Sequence, residues 1–222
     1  MLPEDFLSRL KDQLGDEYDD YLQSLDRPRA VALRFNPLKT GDFPALPFVE
    51  DRVPWAKYGN YYTPDARPGL HVWHEAGLYY LQEASAMAPV TLLAPRPGEI
   101  VLDLCAAPGG KTTQIAGLMG GEGLLVCNEI NPKRAKILSR NIERMVVPNA
   151  LVLNHHPKDL ERHFSGCFDR VLVDAPCSGE GMFRKEEAAV TDWSVETVAM
   201  CAERQAQILD TAAKLLRPGG RL

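Results

Sequence analysis

The chain has no apolar run approaching the roughly 18 residues that a membrane-spanning helix needs, so no membrane span is expected. Its first residues, MLPEDFLSRLKDQLGDEYDDYL, lack the basic region and small-residue cleavage site of a secretory signal. Cysteine is scarce and unpatterned. The five residues Cys105, Cys127, Cys167, Cys177 and Cys201 are an odd number with no Cys-x-x-Cys pair. That argues against a disulfide framework and a zinc site, and for a reducing cytoplasm. His71 and His74 flank Trp73, but two histidines without a third ligand make no metal site. A surplus of positive charge is missing too: 25 Lys and Arg stand against 30 Asp and Glu, a net charge of -5. Residues 1–30 hold eight of the acids and four of the bases, so the remainder is nearly neutral. A nucleic-acid binder of this charge needs local basic patches and base-specific pockets, because it has no diffuse positive field.

What is present has the balance of a globular protein, 45% hydrophobic and 25% charged, with neither repeats nor low-complexity tracts. A length of 222 residues suits one ordinary domain plus a smaller one. Phe6, Leu7, Leu10 and Leu14 recur at helical spacing, so residues 3–25 read as one or two short acidic helices. Residues 28–72 are rich in proline and aromatics, with AVALRF as a strand. Their Trp55, Tyr58, Tyr61, Tyr62 and the adjacent Trp73 suit either an inward-packed core or a platform for RNA bases. From about residue 76 the pattern changes. EAGLYYLQEASAMAPVTLLA reads as a helix, and strands GEIVLDLC, GLLVCNEI, NALVLNHH and FDRVLVDA then alternate with helical segments. Unbroken apolar strands alternating with helices predict a doubly wound parallel sheet in residues 76–222, preceded by a small α+β domain in residues 1–75. Ligands of such sheets sit at the carboxyl ends of the strands, where Cys105, Glu129, His156 and Cys177 all fall.

The first strand-to-helix turn, DLCAAPGGKTT, narrows the ligand. Gly110, Lys111 and Thr112 match the end of a P-loop, but Cys105 stands where its leading glycine belongs. Gly109 and Gly110 do not supply the Gly-x-Gly-x-x-Gly of a dinucleotide site. S-adenosyl-L-methionine fits better: its sheets use a small-residue turn here and an acid ending the second strand for the ribose hydroxyls. Glu129 occupies that position, and a carboxylate accepts two hydroxyl hydrogen bonds. The same residue also suits the N-terminus of the helix NPKRAK.

DLCAAPGGKT and DAPCSGEGMFRK together resemble the Sun-type family of RNA cytosine-C5 methyltransferases, most closely its bacterial 16S ribosomal RNA enzymes. LRFNPLK and RPGLHVWHEAGLYYLQEASAM resemble that family's N-terminal domain and the helix leading into its sheet. The resemblance implies a Rossmann-like, S-adenosylmethionine-dependent sheet. It implies that Cys105, Ala106, Ala107, Pro108, Gly109, Gly110 and Lys111 wrap the cofactor largely by backbone and that Glu129 holds its ribose. Arg134 lies near the same ligand, or is one of five bases on a solvated helix. The family usually places an aspartate beside the adenine where this chain has His156. Asp174 is expected to face both the cofactor and the target cytosine, and a protonated Asp174 in a dry site would donate to the base. Phe183, Arg184 and Lys185 offer RNA an aromatic ring and two cations, or form a plain surface loop.

Cys177 follows Pro176 as the attacking thiol does in DNA cytosine methyltransferases. In the resembled RNA family that position assists product release, and the attacking cysteine follows a threonine on the next strand. No Thr-Cys pair occurs in the chain, and RPGGRL stands where that strand is expected to start. The sheet is therefore expected to be C-terminally incomplete, with an unpaired edge after the long helix. The chain is expected to bind cofactor without completing methylation. Three functions compete: a cytosine-C5 methyltransferase acting on 16S rRNA or the small ribosomal subunit, a DNA cytosine methyltransferase using Cys177, and a non-catalytic RNA- or cofactor-binding module. An aromatic residue at position 177 would favour an amino-group methyltransferase; the cysteine disfavours it. Cys105 and Cys127 also suit purely structural positions.

Overall fold

A computed structural model describes residues 2–222. In chain order it begins with α1 (Glu4–Leu14) and α2 (Tyr18–Leu25), then β1 (Ala32–Phe35), β2 (Val49–Arg52), β3 (Gly59–Tyr62), α3 (Val72–Glu75) and β4 (Tyr79–Leu81). The alternating part comprises α4 (Ala84–Leu93), β5 (Ile100–Asp103), α5 (Gly110–Met119), β6 (Leu124–Asn128), α6 (Pro132–Arg144), β7 (Ala150–Leu153), α7 (Pro157–Phe164) and β8 (Phe168–Leu172). Last come α8 (Glu187–Thr191), α9 (Val195–Leu215) and β9 (Leu216–Arg221). Among the described residues no helix is long and apolar enough to cross a membrane. The chain divides into two compact units, residues 30–174 with 209–222 and residues 1–29 with 175–208.

The larger unit holds a five-stranded parallel sheet of order β7-β6-β5-β8-β9. Val101, Leu102, Leu125, Val126 and Val171 are fully buried, which is why these strands read as continuous apolar runs rather than alternating ones. The strand order reverses around β5, and its loop opens at the switch point where such sheets take ligands. On one face, α4, α5 and α6 contribute Val90, Ile115, Met119 and Leu138 to the main core. Arg170 on β8 forms a salt bridge to Glu99 at 2.5 Å, tying that strand to the loop before β5.

Two expectations need correction. Residues 76–94 are not one helix: Tyr79 and Tyr80 are β-formers, Tyr79–Leu81 pairs with β1, and the helix starts only at Ala84. The edge beside β8 is not bare either. Leu216–Arg221 pairs with it in parallel, with a register shift between Phe168 and Arg170 that accommodates the Pro-Gly-Gly segment.

β4 completes a four-stranded antiparallel sheet of order β2-β3-β1-β4, so the boundary expected after residue 75 falls before that sheet's last strand. Most of its aromatics pack inward. Phe35 stacks on Phe43 at 4.7 Å and meets Tyr79 edge-on. Trp55 and Trp73 remain 42% and 37% exposed. The buried Asn36, just past β1, donates to the carbonyls of Gly77 and Met145, joining this sheet to the C-terminal end of α6. Close approach there requires a glycine: Gly77 has φ +72°, and a Cβ on it would lie 2.0 Å from the Arg144 carbonyl oxygen.

In the smaller unit, Phe6 packs edge-on against Phe183 at 5.0 Å and Trp193 at 5.8 Å. The Ser194 hydroxyl accepts the Thr197 N–H at 3.1 Å and so caps α9.

Gly77→Ala should lower unfolding free energy by about 2–3 kcal/mol in urea titrations, since it adds a backbone clash to an unfavourable dihedral. Gly120→Ala is the control, because Gly120 shares a positive φ (+65°) with nothing within 4 Å of its added Cβ. It should cost about 1 kcal/mol. Equal losses would remove the argument for close approach at Gly77.

Candidate functional site

The site grows from the ends of β5, β6 and β8. β5 ends in Asp103, a carboxylate 1% exposed, and the turn Leu104–Gly109 leads into α5. Gly109 has φ +111° and ends the turn, and the first helical hydrogen bond of α5 runs from Thr113 N–H to its carbonyl. The N–H groups of the first turn of α5 therefore have no partner inside the helix. Asp103 Oδ2 accepts the Thr112 hydroxyl at 2.6 Å, while Oδ1 is buried without a hydrogen-bond partner. Burial pushes the Asp103 carboxyl up to about 6, only partly offset by the Thr112 hydrogen bond and Lys111.

A cavity of about 230 Å³ opens beside this turn, lined by Cys105, Ala106, Ala107, Pro108, Gly110, Lys111, Asp103 and Asp174, with Tyr80, Leu81, Gln82 and Ala86 opposite. Lys111 Nζ meets Asp174 Oδ2 at 2.6 Å, and the Asp174 side chain is 58% exposed. That carboxylate thus stands open to solvent at the edge of the cavity. Two carboxylates, one ammonium and the first-turn N–H groups suit a ligand carrying both a cation and an anion, such as an amino-acid zwitterion.

The Cys105 thiol is pushed up to about 12, first by burial and then by Asp103, Glu129 and Asp174. It is protonated at neutral pH and offers no thiolate for attack. Burial likewise raises the Cys127 thiol, which lies in the core.

Glu129, one residue past β6, is 2% exposed. One of its oxygens accepts the Asn131 N–H at 2.9 Å, and the other lies 3.4 Å from Arg134 Nη1. Arg134 also donates to the Ala107 carbonyl at 2.6 Å, so it is bonded to the turn itself. His156 is exposed, and its Nδ1 accepts the Lys158 N–H, capping α7. Glu129, Arg134 and His156 lie outside the cavity lining. Cys177, Phe183, Arg184 and Lys185 belong to the smaller unit. There Cys177 is exposed, the Phe183 ring packs on Phe6 and Trp193, and Arg184 donates to the Arg27 carbonyl.

Sequence reasoning missed Asp103, Tyr80 and Gln82. An acid ending the first apolar strand was a readable signal for Asp103. Tyr80 and Gln82 give none, because their segment reads as helix. Behind them lies Arg34 on β1, 2% exposed. It donates to Gln82 Oε1 at 2.9 Å, the Gly110 carbonyl at 3.0 Å and Thr113 Oγ1 at 2.7 Å. Its guanidinium carbon lies 6.0 Å from the centre of the Tyr80 ring, and that of Arg144 lies 5.6 Å away.

Comparison with known proteins adds a family. Residues 90–222 match the model described as 16S rRNA methyltransferase RsmB/F, and residues 2–84 that of the N-terminal domain of 16S rRNA methyltransferase RsmF. Ribosomal RNA small subunit methyltransferase F of Vibrio vulnificus is 40% identical over 99% of this chain and 49% of its own length. The crystal structure of PH0851 superposes with a TM-score of 0.89 at 28% identity, covering 99% of this chain and 51% of that one. A methyltransferase homolog from Pyrococcus horikoshii gives 0.80 at 29% identity, covering 97% and 70%. The chain spans about half the length of the curated relatives it matches.

The Asp103 carboxyl predicts a pH signature. Its folded value of about 6 exceeds its ordinary 3.8, so between these values the folded state binds more protons than the unfolded state. Its contribution to stability is present below about pH 4 and falls by about 2–3 kcal/mol as pH rises through 6. The stability of wild type relative to Asp103→Asn should therefore drop by that amount between pH 4 and pH 7.5 in denaturant titrations. Parallel pH profiles would contradict the burial argument.

Proposed function

Because the chain belongs to the RsmB/F family of 16S rRNA methyltransferases, we propose that it serves S-adenosylmethionine-dependent methylation of C5 of a cytosine in 16S rRNA, free or in the small ribosomal subunit. The observation that carries this reading is the Lys111–Asp174 pair at 2.6 Å, set on the rim of a cavity formed by the cofactor turn.

When bound, S-adenosylmethionine supplies an electrophilic methyl group. Asp103 and Asp174 suit its ammonium, and Lys111 with the first turn of α5 suits its carboxylate. Glu129 retains acceptor capacity for ribose hydroxyls, and Arg134 holds the turn in place through the Ala107 carbonyl. His156 can meet adenine only through ring atoms other than Nδ1, which is committed to capping. On the RNA side, Lys111 offers a donor and Asp174 an acceptor. A cytosine presents the complementary ring acceptors and exocyclic amino donor. The base must leave its stack to reach them.

Cytosine C5 is a weak nucleophile until a thiolate adds to C6. We assign Cys177 to release of the methylated product rather than to that addition. We also propose that residues 1–222, which contain no Thr-Cys pair, bind cofactor without completing the reaction. Arg184 and Lys185 remain candidate phosphate contacts, with Phe183 anchoring their loop.

A covalent trap tests these assignments. With S-adenosylmethionine and 16S rRNA carrying 5-fluorocytidine, the chain should bind cofactor by calorimetry yet form no denaturant-stable adduct. An adduct lost in Cys177→Ala would make Cys177 the nucleophile and favour the chemistry of DNA cytosine methyltransferases. Lys111→Met should weaken cofactor binding at least tenfold, the loss of about 1.4 kcal/mol or more expected for a charge-assisted hydrogen bond. Unchanged affinity would remove Lys111 from the cofactor site.

A further inference from the structure

Positive charge in this acidic chain is concentrated on α6. Its 13 residues carry five bases, Lys133, Arg134, Lys136, Arg140 and Arg144, against the single acid Glu143. Two of the five are engaged: Arg134 bonds Ala107 and Arg144 bonds the His74 carbonyl. The other three are exposed, and among the described residues their side chains enter no hydrogen bond or ion pair. Lys133, Lys136 and Arg140 are three and four residues apart, so they share one face of the helix along about 10 Å of its axis. The exposed Ile137 lies among them, and the opposite face buries Ala135, Leu138 and Ile142.

This arrangement runs against helix electrostatics. The first turn of α6 contains Lys133 and Arg134 and no acid, although the amino end of a helix disfavours cations. The first turns of α1 and α2 instead carry Glu4 with Asp5 and Asp19 with Asp20. Among the described residues none of the three free cations of α6 has an ion-pair partner, and the helix's single acid, Glu143, lies three residues beyond Arg140. One acid against three cations leaves this face with a surplus of positive charge that points to an external partner, and three aligned cations call for a polyanion. The ridge also begins beside the cofactor turn, because Arg134 bonds Ala107 and Asn141 bonds Pro108 at 2.8 Å.

We infer that the outer face of α6 is a docking ridge for the RNA backbone, with Lys133, Lys136 and Arg140 each neutralising a phosphate of the strand that flanks the target nucleotide. This rests on the RNA-methyltransferase reading above and adds to it where the substrate lies on the protein.

The test is the salt dependence of binding to 16S rRNA fragments, measured by fluorescence anisotropy on the full chain with cofactor present. Losing three single-strand phosphate contacts lowers the slope of log affinity against log salt by about 2, and affinity at 0.1 M salt by about 100-fold. The triple variant Lys133→Gln, Lys136→Gln, Arg140→Gln should show both changes with cofactor affinity and melting unchanged. The charge-matched control Lys57→Gln, Arg67→Gln, Arg96→Gln should keep the wild-type slope. A triple variant indistinguishable from wild type, or a control that loses as much, overturns the ridge and leaves the methyltransferase reading standing. A wild-type chain that binds cofactor but no RNA overturns both.

Discussion

Much of the larger unit depends on one buried cation. Arg34 sits 2% exposed on β1, with its hydrogen bonds going to neutral acceptors, among them the Gly110 carbonyl and Thr113 hydroxyl of α5 and the Gln82 amide just past β4. Burial lowers its guanidinium to about 9. Removing a guanidinium from water is costly, and removing an acceptor would leave that cost uncompensated. The four-stranded sheet and the first turn of α5 are therefore held in one register. That register decides the cavity, because Tyr80 and Leu81 of β4 and Gln82 just past it form its far wall.

The near wall is an electrostatic problem solved locally. Asp103, Glu129 and Asp174 converge where three strands end, and their mutual repulsion helps raise the Asp103 carboxyl. Lys111 and Arg134 each approach one of the acids, and Arg134 also grips the turn backbone. The same field, added to burial, keeps the Cys105 thiol protonated. A cysteine in a motif is thus made inert by its surroundings.

Net charge is a poor guide to such a protein. Eight acids in the first thirty residues dominate the total, yet α6 is strongly basic over 13 residues. Over distances longer than about 8–10 Å salt screens the acidic helices. What a polyanion meets is decided by the nearest side chains rather than by the sum over the chain.

The amino-acid sequence by itself determined the parallel sheet, the small-residue turn after its first strand and the acid ending the second strand. Unbroken apolar strands between helices and a small-residue turn are local patterns whose physical cause lies within a few residues. Only the tertiary structure decided that Tyr79–Leu81 is a strand, since its partners in the ladder are Leu33, Arg34 and Phe35, more than forty residues away. The same holds for the Arg34 clamp, the unpartnered Asp103 oxygen and the pairing of Leu216–Arg221 with β8. Each depends on which distant groups are left to satisfy a buried polar atom, and that is settled by packing rather than by periodicity.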